Sequence, residues 1–75
     1  MPEPEFGLAS VYRIIKKAGA ERVGDDAAEE LRIALEDVGI IVARQAIEFS
    51  SHAGRKTVKS KDVRLAVKSI LKIWK

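Results

Sequence analysis

Apolar residues recur at helical spacing in three blocks, and no stretch alternates with period two for the length of a strand. Leu8, Val11, Ile15 and Ala18 line one face of a first helix from about Leu8 to Lys17, widened by Tyr12 and Ile14. Ala18-Gly19 closes it, with Lys16 and Lys17 in the last turn. A short loop of Ala20, Glu21, Arg22, Val23 and Gly24 follows. Asp25 and Asp26 open the next helix, as cap or as first-turn carboxylates on the positive end of its dipole. That helix runs from about Asp25 to Ser51, without proline and with one interior glycine, Gly39. About 27 residues at 1.5 Å each span roughly 40 Å. One of its stripes is Ala27, Leu31, Leu35, Val38, Val42 and Phe49, with Ala34, Ile41 and Ala46 beside it. A second stripe, Ile33, Ile40 and Ile47, lies roughly 180° away. A helix apolar on two faces must be covered on both, and two short flanking helices cover only one. The pattern therefore predicts a second chain. After the turn His52-Ala53-Gly54 and the basic loop Arg55-Lys56-Thr57-Val58-Lys59, a third helix runs from Ser60 to Ile73 or beyond. Val63, Val67, Ile70 and Trp74 form its stripe, flanked by Ala66 and Leu71. Residues 1–7, with two prolines and two glutamates, read as an extended lead to a single domain over 8–75.

Composition narrows the class. At 75 residues the chain is one domain, and Gly and Pro are too few for a collagen-like or low-complexity chain. No apolar run approaches the ~18 residues of a membrane span. Pro2, Glu3, Pro4 and Glu5 do not resemble a secretory signal. The absence of cysteine excludes a disulfide framework and thiol chemistry and fits a cytoplasmic location. With one histidine besides, no metal site and no cofactor is expected. A domain of this size buries only about 60% of its unfolded surface, so oligomerisation is the expected support.

Charge is unevenly distributed. The net charge is +3, but residues 1–22 carry +1, residues 23–54 carry −5, and residues 55–75 carry +7 with Asp62 as their only acid. Basic segments at the two ends of the domain attract polyanions, chiefly nucleic acid, independently of sequence.

Two dense blocks sit in this framework. The first is Arg13-Ile14-Ile15-Lys16-Lys17-Ala18-Gly19-Ala20-Glu21-Arg22-Val23. The second is His52-Ala53-Gly54-Arg55-Lys56-Thr57-Val58, followed by Asp62 and Leu65-Ala66-Val67. On these blocks, and on the helix lengths between them, the chain resembles an archaeal histone of the histone-fold family from about Leu8 to Leu71. The resemblance implies an all-α histone fold in an obligate head-to-tail dimer whose long helices cross. It places the first loop of one chain beside the second loop of the other, with Val23 and Val58 in a short parallel bridge. It implies that such dimers wrap double-stranded DNA on a convex rim, touching phosphates and making no base-specific contacts.

Individual roles follow from the resemblance. Arg22 enters the DNA minor groove, fixed by Thr57 of the partner subunit. Arg13 and Lys56 contact phosphates, and the backbone N–H groups that open helices one and two are further phosphate donors. Arg55 pairs structurally with Asp62, a planar guanidinium against a carboxylate. His52 and Asp62 of neighbouring dimers meet at a dimer–dimer contact, with Phe49 as its apolar centre. There are also departures. The family often has charges at Ile33 and Ile40, which pair between stacked turns of a superhelix; Asp37 and Lys68 retain one such pair, but Ile33 opposite Arg64 does not. This counts against long stacked filaments. Gly24 stands where Ser or Thr is a common cap, at a cost of only a few tenths of a kcal/mol. No long basic tail is expected to regulate the protein. The chain extends about three residues past the family's usual end, and helix three is expected to reach Trp74, with the indole packed on helix two or on a neighbouring dimer.

One histidine, no cysteine, no glycine-rich phosphate loop and scattered carboxylates supply no nucleophile–base set, so no enzyme activity is expected. The chain reads as a sequence-nonspecific DNA-binding histone, associated with the chromosome, that forms homodimers, assembles further on DNA, and compacts it into nucleosome-like or superhelical particles. The alternative is an interaction subunit that pairs with other histone-fold chains in a transcription-related complex. The long middle helix argues against a small helix-turn-helix reader, whose recognition helix is short.

Overall fold

A computed structural model describes residues 6–72. The expectations for Ile73, Trp74 and Lys75 lie outside the described residues. Helix α1 spans Leu8–Lys17, α2 spans Asp25–His52 and α3 spans Ser60–Ile70. No strand forms among the described residues. The chain divides into two compact units, Met1–Asp37 and Val38–Lys75, and α2 contributes to both.

In the first unit, α1 starts from an extended Gly7 whose carbonyl accepts the N–H groups of Ser10 and Val11. Val11 and Ala28 are fully buried, and Tyr12, Ile15, Leu31 and Leu35 are half-buried. Leu8, Ile14 and Ala18 stay exposed, so the buried stripe of α1 is narrower than its apolar pattern. At its end the N–H of Gly19 reaches the Lys16 carbonyl, and Gly19 turns the chain at φ +119°. A side chain is disfavoured there, which is why glycine closes this helix. The Gly24 carbonyl accepts the Ala28 N–H at 3.1 Å. Asp25 and Asp26 are therefore first-turn residues, and Asp26 accepts the N–H of Ala27 at 2.8 Å. The Tyr12 hydroxyl donates to the Asp25 carboxylate, joining α1 to the start of α2. Arg32 bridges Glu29 and Glu36 on neighbouring turns.

In the second unit, Val42 and Ala46 of α2 pack with Ala66 and Val67 of α3, and Phe49 and Ile70 close over them. Val38 and Ile41, neighbours of Val42 in the predicted stripe, are exposed, at 36% and 51%. Contact with one short helix buries a narrow arc, centred on Val42 and Ala46. Ile40 and Ile47 of the second stripe are more than half exposed, as is much of Ile33 in the first unit. α3 stops at Ile70, short of the Ile73 suggested by its pattern. The N–H groups of Leu71 and Lys72 both turn back to the Val67 carbonyl, and Lys72 takes φ +56°. A left-handed residue at that point leads the chain out of the helical path.

Candidate nucleic-acid interface

The residues expected to meet DNA lie on α1 and on the two loops. On α1, Arg13 is exposed and its guanidinium donates to the Ser10 hydroxyl at 3.1 Å, one turn back. Arg13, Lys16 and Lys17 line a surface depression with Ser10, Tyr12 and Ile14. Lys16 donates to the Glu21 carbonyl at 2.9 Å. This bond ties the end of α1 to the first loop immediately before Arg22, whose side chain is exposed. No contact brings Arg13 and Arg22 together. The start of α1 carries no acid, whereas Asp25 and Asp26 bring negative charge to the start of α2. Those carboxylates oppose an incoming phosphate, so of the two helix starts only that of α1 suits an anion.

The second loop is held by a network within its own unit. Gly54, at φ +74°, turns the chain out of α2, and the Arg55 N–H returns to the Ser50 carbonyl at 3.0 Å. The Arg55 guanidinium grips Asp62 with two bonds, of 2.7 and 2.9 Å. It also donates to the Thr57 carbonyl at 3.0 Å. Asp62 accepts the Lys59 N–H at 2.8 Å and so caps α3 from inside. The Arg55 guanidinium first, and then the Lys59 N–H, hold the Asp62 carboxyl well below its ordinary range. Lys56 and Thr57 extend from this braced loop with exposed side chains.

One residue of the network had no signal in the sequence. Ser50, 2% exposed, places its hydroxyl 3.1 Å from both the Arg55 and Thr57 carbonyls. A serine in the last turn of a long helix looks like any polar helical position. Only the fold of the loop over it reveals the role.

The residues of the expected dimer–dimer contact are placed unequally. His52 is exposed at the end of α2, and Phe49 is half-buried against its own core. Asp62 is 3% exposed and already accepts from Arg55 and Lys59. Its remaining acceptor capacity is a single lone pair on Oδ1.

Comparison with known proteins agrees with this architecture. Residues 4–67 match the family model described as histone-like transcription factor (CBF/NF-Y) and archaeal histone. The chain is 57% identical over 65 residues to the first of the named subunits of archaeal histone HAN1 from Thermococcus zilligii, covering 87% of this chain and 97% of that protein. It is 42% identical over 64 residues to probable archaeal histone 3 of Methanocaldococcus jannaschii, covering 85% of this chain and 96% of that protein. With most of its length inside the family pattern, the chain belongs to the family of histone-like transcription factors and archaeal histones, and its three helices are the all-α histone fold.

Proposed function

We propose that the protein is a non-catalytic DNA-packaging histone that pairs with a second copy head to tail and wraps double-stranded DNA without reading its bases. The observation that carries this reading is the second loop. Ser50, Arg55 and Asp62 brace its backbone while Lys56 and Thr57 remain exposed. A loop organised in advance loses little freedom when it grips a phosphate. Arg22 enters the minor groove, and Arg13 and Lys56 neutralise phosphates beside it. The exposed Ile40, Ile41 and Ile47 support pairing, since a stable lone chain rarely leaves so many large apolar side chains in water. Further assembly of dimers on DNA runs through His52 and Phe49, with the last lone pair of Asp62 as the acceptor, and the complex resides on the chromosome in the cytoplasm.

A second reading has a specific motive. The Thermococcus zilligii relative is named as a subunit, and the family description includes transcription factors. In that reading the chain pairs with a different histone-fold chain. Two measurements separate the readings. Sedimentation of the purified chain at micromolar concentration gives a dimer mass if it pairs with itself, whereas the second reading requires an added partner for folding. Nuclease digestion of coated random-sequence DNA gives a ladder of fixed step if dimers wrap DNA. A smear, or protection confined to one sequence, would overturn the packaging reading.

A further inference from the structure

The outer face of α3 has no part in the reading above. Lys61, Arg64 and Lys68 are all exposed. At about 100° per residue they fall within an arc of roughly 60°. That arc lies opposite Asp62, Ala66 and Val67, the residues that α3 buries. Among the described residues none of the three cations meets a carboxylate at ion-pair distance. Asp62, the single acid of α3, is occupied by Arg55 and the Lys59 N–H.

This arrangement works against the helix itself. Lys61 and Arg64 stand three residues apart and Arg64 and Lys68 four apart, so like charges repel along the face. Lys61 lies in the first turn, at the positive end of the helix dipole, where a carboxylate is favoured. Helix stability therefore does not account for the stripe, whereas a bound polyanion does. The centres of protein interfaces are depleted in lysine and built on apolar anchors. A row of cations with no acid between them instead matches a phosphate backbone.

We propose that Lys61, Arg64 and Lys68 form a second DNA-binding surface, which holds a duplex independently of the loops and lets the protein bridge two duplexes. The inference takes only its choice of polyanion, duplex DNA, from the packaging reading.

The test uses the full chain, saturated on an immobilised duplex and then offered a second, labelled duplex of unrelated sequence. The wild type retains the second duplex in low salt and releases it as salt rises. The triple variant Lys61→Gln, Arg64→Gln, Lys68→Gln protects the first duplex from nuclease as before but captures the second at least tenfold less. Its slope of log affinity against log salt is shallower by about 2–3, at ~0.9 for each phosphate no longer neutralised. Glutamine is a good helix former, and an unchanged urea midpoint verifies the fold. The double variant Arg22→Ala, Lys56→Ala shows the reverse, with weak protection and retained salt-sensitive binding through α3. Undiminished capture by the triple variant overturns the proposal. Loss of protection and capture together also overturns it, because the loops and α3 are then one surface. So does unchanged capture with lost self-association, which assigns the face to an acidic surface of another copy. If the double variant protects DNA normally while the triple variant loses capture, the loop reading fails and the α3 surface stands.

Discussion

Replacing Ser50 with alanine tests whether the second loop is braced from beneath. The hydroxyl has one proton and lies 3.1 Å from two carbonyls, those of Arg55 and Thr57. The Thr57 oxygen keeps a second donor, the Arg55 guanidinium, after the change. The Arg55 oxygen loses the side-chain donor found for it, at a site where Ser50 is 2% exposed. Leaving a buried acceptor unsatisfied costs about 1–3 kcal/mol. Alanine recovers at most about 0.5 kcal/mol through its better helix propensity. The expected net loss is roughly 1–2 kcal/mol, a factor of about 5–30 in the folding equilibrium. Urea unfolding at one fixed protein concentration measures it, because the stability of a dimer depends on concentration. Ser50→Cys fills nearly the same space with a weak donor and should lose about as much. DNA affinity, measured where both variants are fully folded, should also fall, since Lys56 and Thr57 are no longer held. A change of less than about 0.3 kcal/mol in both variants would refute the reasoning. A loss in alanine that cysteine restores would assign the effect to packing instead of hydrogen bonding.

Three further expectations concern pH and backbone. Asp62 titrates below its ordinary value of 3.8 in the folded chain, so its contribution to stability is fully present above that value and is lost as pH falls through the folded one. Asp62→Asn should therefore destabilise the protein at pH 7 and flatten the acid limb of stability against pH; an unchanged limb would refute the pairing. The hydrogen bond to Asp25 raises the Tyr12 hydroxyl above its ordinary value of 10.0, so its contribution is present below that pH and is lost as pH rises through the folded value. Tyr12→Phe should weaken the alkaline loss, as read by helical circular dichroism. Gly54 has open space around the position of a Cβ but sits at φ +74°, so Gly54→Ala should cost about 1–2 kcal/mol from the backbone alone, with no packing change in the spectrum of the core.

Helix order, and most helix ends, were legible from the chain alone. A helical period is a local property, repeated every few residues, and Gly19 and Gly54 mark ends because few other residues tolerate their positive φ. Arg55 and Asp62, seven residues apart, were legible as a pair only through resemblance to a family, and the geometry then brought them together. Tertiary structure alone decided which apolar residues one chain covers. Val38, Ile41, Val42 and Ala46 share a pattern, but the arc that meets α3 selects Val42 and Ala46. It also decided that Ser50 braces the second loop, that Tyr12 reaches Asp25, and that α3 stops at Ile70. Each of these depends on the direction in which a turn sends the chain. That direction is set by packing against distant residues, a quantity that no window of sequence contains.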